Sequence, residues 1–479
     1  MKITKRSLNL LIINILILPL LGNVPSIESL NLEIASKSIL IFLPMLFFGS
    51  FVYDFIKNKL FKDKKSFNIL FILCLSFIII LIISLVFSIN IDLRSFTNLL
   101  TYIYIIGFIY SLNIYFFNKE QERAIIKCLL IIFTIISLIA IIQYIFDINL
   151  IKYSNLSYPG MKGRTNSTFY ISTLLDKYIV TNLIILFSIL QGKEVAKIEK
   201  IILYVITAIG VTALMFTFSR TGIFFYYILT FIFTIIFIKG HKNFAAIFTT
   251  LILFLSLLIP GQKYVFSSIV HSINDAANSI FIKTEFENIL TLKDDFLEKV
   301  IPEYQIVTDN KKEILPIAVP EVSQISPADT QNQNNIIDNK KDRASSVKSR
   351  TYYSLVAKKI IEEYRVTGIG IGSYNFIYNN QNINKYLKNY SAPLPYMYPH
   401  NMYLHLSAEG GILIIPVLIF IMAYVTFKNI KIKNIVRSLL LLFSFLFFCF
   451  FEGFLYATSF VYIYIIIFTF FNKSLENKV

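Results

Sequence analysis

For a chain of 479 residues, charge, cysteine and histidine are all scarce. Charged residues make up only 15% of it, whereas soluble globular chains carry about a quarter. Such a sequence is built for lipid. The three cysteines, Cys74, Cys128 and Cys449, stand far apart inside apolar runs, which argues against a disulfide framework or a thiolate metal centre. They read as core or lipid-facing residues. There are four histidines and no H-E-x-x-H. His400 and His405 lie five apart, about 140° round a helix, so they cannot share a metal as residues four apart can. With 16 Gly, 13 Pro and no convincing internal repeat, the chain also lacks the paired, broken helices expected of a transporter.

Present in abundance are long apolar runs, in a chain that is 56% hydrophobic and 16% aromatic. Stretches long enough, or nearly so, to cross about 30 Å of hydrocarbon recur near 8–22, 36–55, 67–88, 96–117, 124–146, 170–190, 200–218, 222–239, 243–260, 402–426, 436–451 and 454–471. The expected fold is all-α, a polytopic membrane protein of about twelve transmembrane helices. The opening MKITKRSLNLLIINILILPLLG resembles a signal peptide but has no small-x-small cleavage site, so it reads as a retained first helix. The net charge of +16 would suggest nucleic acid in a soluble protein. Here the membrane accounts for it, because inward loops hold about 22 Lys and Arg against about 5 in the short outward loops. Both termini are therefore expected inside.

Three regions follow from this count. Residues 1–260 hold the first nine spans. Residues 261–401 form one large extracytoplasmic loop, and 402–479 hold spans ten to twelve and a cytoplasmic tail. Within the loop, about 303–345 has the polar, aromatic-poor composition of disorder. The following stretch, SVKSRTYYSLVAKKIIEEYRVTG, spaces Val347, Tyr353 or Ser354, Val356 or Ala357, and Ile360 or Ile361 as one face of an amphipathic helix. Its predicted place is the outer membrane surface, with Ser345 or Ser346 as N-cap and Gly368 past its end.

Several groups on the outward face can carry chemistry. In FTFSRTGIFF, Ser219 and Arg220 sit on a tight turn between two spans. A guanidinium there either grips phosphate through its fork or reaches to lipid headgroups. The loop 147–169 adds Lys162 and Arg164, and the amphipathic helix adds Arg350; cations gathered on one outward face suit an anionic ligand. In YPHNMYLHLSAEGG, His400 stands at the start of a span, where an imidazole is either a surface group or a general base. His405 reads as structural. Glu409, deeper still, suits helix packing or support of the site. TGIGIGSYNF lacks the Lys-Ser/Thr ending of a phosphate loop, so Gly368, Gly370 and Gly372 read as a helix end where backbone passes close to another element. Asp176 and Lys177 are charges inside the sixth span, either paired with other helices or near its outer boundary.

Taken in order, SRTG on a tight outer turn, a large outer loop, SRTYYSLVAKKIIEEYRVTGIGIGSYNF and PHNMYLHLSAEGG resemble the O-antigen ligase and O-antigen polymerase superfamily of bacterial envelope enzymes. That resemblance implies transfer of a glycan from an undecaprenyl-diphosphate carrier to an acceptor hydroxyl, at the outer face of the inner membrane, with no metal and no other cofactor. By motif, Arg220 and Arg350 would hold the diphosphate, with Arg164 as a further cation, and His400 would activate the acceptor. Ser219, Asn401 and Glu409 would support them. The implied partners are the carrier-linked glycan, an acceptor glycan, lipid A core or protein, membrane lipids and a chain-length regulator. Ligase and polymerase share these motifs. The atypical insert and divergent motifs lean toward polymerisation, and a transporter of lipid-linked glycans is the alternative without chemistry.

Overall fold

The computed structural model describes residues 1–21, 32–58, 69–91, 93–146, 165, 167, 169, 172–191, 196–239, 242–258, 353–374, 399, 401–428, 435–451 and 458–473. Among them the chain is all-α, apart from one parallel bridge that pairs Lys2 with Phe116. The first helices are α1 (Lys5–Leu21), α2 (Leu32–Lys57), α3 (Ile69–Val86), α4 (Leu93–Ile114) and α5 (Lys119–Phe146). There follow α6 (Ser172–Gln191), α7 (Lys197–Phe216), α8 (Arg220–Lys239), α9 (Asn243–Leu258) and α10 (residues 353–363). The chain closes with α11 (Met402–Gly410), α12 (Ile414–Lys428), α13 (Ile435–Phe451) and α14 (Thr458–Lys473). Met1–Gln262 and Ser346–Val479 make one compact unit. The expected disordered insert lies outside the described residues, as do Val347 and both N-cap candidates of the amphipathic helix.

Six helices among the described residues, α3 to α8, are long and apolar enough to cross a membrane. This is a polytopic membrane protein. Burial separates the inner helices from the outer ones: 83% of the apolar window of α6 is inside the protein, against 28% for α3. The remaining face of α3 presents Ile69, Ile72, Leu75, Ile79, Ile82 and Val86 outward. An apolar face of that extent has no place in water and suits hydrocarbon. In α14, residues 463–470 are all buried, so this helix also belongs to the interior, packed against α1 and α4.

In an apolar interior, polar side chains are costly unless they find one another. Asp54 of α2 is buried, and its Oδ2 accepts hydrogen bonds from Thr4 Oγ1 at 2.9 Å, Ser7 Oγ at 2.7 Å and Tyr115 OH at 2.9 Å. One carboxylate thus ties together the start of α1, the end of α2 and the residue that follows α4.

Two expectations are corrected here. The apolar run 402–426 is not one helix. It breaks after Gly410, and Gly411 takes φ 78° and ψ 165°, a region open in practice to glycine alone. The break has a cause: the amide of Ile412 turns away to bond Arg365 O at 3.0 Å, while the amide of Gly411 caps Ser407 O at 3.0 Å. The second correction concerns α10. Its face is the expected one, with Tyr353, Val356, Ala357 and Ile360 buried, but it is turned to protein. Val356, Ala357 and Ile360 pack with Ile369, Tyr374 and Ala408, against the loop after α10 and the side of α11, and the Tyr353 carbonyl accepts the Tyr374 hydroxyl at 2.9 Å.

Candidate functional site

The chain between α7 and α8 is three residues long, as tight as the sequence suggests. Phe218 adopts φ 48°, a left-handed residue that lets the backbone reverse. Phe216 stacks on Tyr144 of α5 with ring centroids 3.8 Å apart, and its carbonyl accepts the amide of Thr165 at 3.1 Å. Ser167, in the same stretch, exchanges two bonds with Gln143: its amide to Oε1 at 2.7 Å, and Gln143 Nε2 to its carbonyl at 3.2 Å. The turn and the described part of the 165–169 segment are therefore pinned to the ends of α5 and α7. Ser219 is buried, and its carbonyl accepts the first helical amide of α8, from Ile223, at 3.0 Å. Arg220 opens α8 with its side chain exposed.

Under this turn lies a carboxylate that the sequence shows only as one of two adjacent charges in an apolar span. Asp176 of α6 is fully buried, and its Oδ2 accepts the Ser219 hydroxyl and, at 3.2 Å, the Gly222 amide. Its Oδ1 is 3.6 Å from Lys177 Nζ, which also donates to Thr173 O and lies 5.8 Å from the centre of the Phe448 ring. The neighbouring charges thus pair with each other, while Asp176 also reaches another helix. A spacing of 43 positions between Asp176 and Ser219 leaves no local pattern to find. The available signal was a charge in an apolar span facing a glycine in SRTG.

The second cluster surrounds α11. Asn401 is its N-cap, with an extended backbone (φ −154°, ψ 112°) and a side-chain oxygen that accepts the Leu404 amide at 3.0 Å. Pro399, just upstream, is buried. His405 and Glu409 are both buried, with Nε2 and Oε1 3.4 Å apart, and the His405 ring lies edge-on to Tyr374 at 5.3 Å. Glu409 Oε1 also accepts the Tyr374 amide at 3.2 Å. Its backbone carbonyl takes Ser84 Oγ of α3 at 2.5 Å and the Gly370 amide at 3.0 Å. Glu409 therefore joins α3, α11 and the glycine loop. Gly368, Gly370 and Gly372 all have positive φ, of 66°, 100° and 84°, in the expected close passage of backbone: the Ile369 amide bonds Ala408 O at 2.9 Å, and its carbonyl takes the Ile89 amide at 3.0 Å. An open groove of about 480 Å³ runs beside α11, lined by Lys358, Ile361, Tyr403, Leu404, Ser407 and Pro416 among others.

The end of α13 brings the two clusters to the same level of the bundle. Leu446 O accepts the Tyr403 hydroxyl of α11 at 2.9 Å, while Phe447 and Phe448 pack on Phe225 of α8 at 5.3 Å each. Residues 403 and 225 each lie within about a turn and a half of the start of their helix, so the starts of α8 and α11 flank one end of α13.

Residues 205–415 match the protein-family model described as O-antigen ligase. This stretch of the chain is similar to an O-antigen ligase domain. The match supports a relation to the O-antigen ligase and polymerase superfamily and, in general terms, glycosyl transfer as the chemistry. The comparison with curated proteins returns no match. The O-antigen ligase match spans Arg220, Arg350, His400, Asn401 and Glu409 and stops short of Arg164 and Asp176. Of the site residues expected from sequence, the structure describes Ser219, Arg220, Asn401 and Glu409; His400, Arg350 and Arg164 lie outside the described residues. No group of three or more His, Cys, Asp or Glu suited to a metal ion occurs among the described residues.

Proposed function

We propose that this protein transfers an oligosaccharide from an undecaprenyl-diphosphate carrier to an acceptor sugar hydroxyl at the outer face of the bacterial cytoplasmic membrane. The observation that carries the reading is the exposed Arg220 on a pinned turn, at the same end of α13 as the start of α11 where His400 precedes the cap Asn401. The acceptor oxygen attacks the anomeric carbon of the donor sugar, and the bond from that carbon to the carrier diphosphate breaks. His400 takes the hydroxyl proton. Arg220, with Arg350, meets the charge that develops on the departing diphosphate, for which a guanidinium fork is suited. Arg164 would add a third cation; its neighbour Thr165 is bonded to the end of α7. The groove beside α11 offers an apolar seat for the isoprenoid.

Both termini face the cytoplasm in this reading, and the shorter helices join α3 to α8 to complete about twelve crossings. Polymerisation, with a second carrier-linked chain as acceptor and a chain-length regulator as partner, is the favoured form; a ligase would instead accept lipid A core or a protein. The test is the surface glycan profile of cells whose only copy carries Arg220→Ala or His400→Ala. Both variants should insert at native levels and lose polymerised or ligated glycan. Native profiles from both would remove the proposed site.

A further inference from the structure

A helix that begins at a phosphate-binding arginine would ordinarily offer its own N-terminus to the anion, since its first amides are unpaired and carry the positive end of the dipole. In α8 that place is taken. The third amide of the helix, from Gly222, and the hydroxyl of the residue before it, Ser219, both donate to Asp176, which reaches in from α6. This is the bond an N-cap side chain normally makes to its own helix, here supplied by a different one. The sequence is shaped around it. A Cβ on Gly222 would stand 2.5 Å from Asp176 Cβ and 2.7 Å from its Oδ2, closer than atoms can approach, so only glycine admits the carboxylate.

We infer that Asp176 is a positioning residue for glycan transfer: seated as the anion at the start of α8, it fixes the turn from which Arg220 projects and keeps the donor phosphate off the helix end. This rests on the proposed role of Arg220. Lys177, buried at 3.6 Å from Asp176, pairs with the same carboxylate from within α6. With the Gly222 amide committed to Asp176, the guanidinium is the group that meets the ligand.

Replacing Asp176 with Asn removes a negative charge near an anion site, which by Coulomb attraction alone would tighten anion binding. Loss of positioning loosens it instead. The experiment measures binding of inorganic diphosphate to the purified full-length protein by calorimetry, together with the donor KM and kcat in liposomes, for Asp176→Asn, Ser219→Ala, Arg220→Ala and the Asp176→Asn/Arg220→Ala double variant. Asp176→Asn should weaken diphosphate binding and lower kcat/KM by roughly 10- to 100-fold, the scale of a misplacement of about an ångström. Ser219→Ala, which leaves the carboxylate and its Gly222 bond in place, should fold normally and shift both quantities the same way by less. The double variant should bind no worse than Arg220→Ala alone, because Asp176 acts through Arg220. Additive losses, or tighter binding in Asp176→Asn, would overturn the inference while leaving the role of Arg220 intact. Native binding and transfer in Arg220→Ala would overturn that role and the inference with it.

Discussion

Replacing Gly411 with Ala separates two accounts of the segment 402–428 by sign. If α11 and α12 formed a continuous helix, alanine in place of an interior glycine would stabilise it by about 1 kcal/mol. The structure predicts the opposite. At φ 78° and ψ 165° a side-chain-bearing residue is strained by about 1–3 kcal/mol. The added Cβ would also press on the backbone of Val366, 2.6 Å from its carbonyl carbon, where nothing can swing aside. Relief requires the 365–367 turn to withdraw, which breaks the bond from Ile412 N to Arg365 O and costs a further ~0.5–1.5 kcal/mol. Together the loss is roughly 2–4 kcal/mol. It falls on the docking of α10 and the glycine loop, whose Ile369 carbonyl is bonded to the Ile89 amide after α3. Thermal unfolding in detergent should therefore show a lowered midpoint. Trypsin should also cut faster at Lys358, Lys359 and Arg365, which are exposed yet held in place. An unchanged or raised midpoint with native proteolysis would refute the reasoning.

Three further outcomes follow from the polar contacts. Asp54→Ala removes the acceptor shared by Thr4, Ser7 and Tyr115; with bonds to a charged group at about 1.5–3 kcal/mol each and not additive, a net loss of about 2–5 kcal/mol is expected, and a native unfolding midpoint would contradict it. Asn401→Ala should lose the cap of α11 at a cost of about 1 kcal/mol and slow transfer, whereas Asn401→Asp, which keeps the acceptor, should restore both; failure of that rescue would show that the cap does not position the start of α11. Glu409→Leu strands the buried Tyr374 amide at about 1–3 kcal/mol and should loosen the glycine loop in hydrogen exchange, an effect that Glu409→Gln should largely avoid.

The parts legible in the sequence are those in which lipid or local geometry dictates the residues. Apolar runs mark the spans because hydrocarbon tolerates little else, and the turn at 217–219 is visible because only three residues separate two such runs. The period of α10 names its apolar face to within a residue, and the structure selects Tyr353 over Ser354 and Ile360 over Ile361 and buries both Val356 and Ala357. What that face meets was not readable, because periodicity names a face and not its partner: a surface suited to lipid is equally suited to α11. The break at Gly411 was hidden for a related reason. A lone glycine in an apolar run is tolerated by a helix, and the reason for this one lies 45 residues upstream, at Val366. Asp176 was visible as a charge out of place, but its partners on α8 follow from the packing of α6 against α8. Arg220 stood out because a cation on a tight outward turn runs against the inward bias of Lys and Arg in membrane proteins.

The central claim is tested most directly by incubating the purified, reconstituted protein with undecaprenyl-diphosphate-linked oligosaccharide and resolving the products by gel, with Arg220→Ala and His400→Ala alongside. A ladder of longer lipid-linked chains from the native protein, absent from both variants, is the predicted result; no product with the carrier-linked glycan alone or after addition of lipid A core or protein acceptor would contradict it.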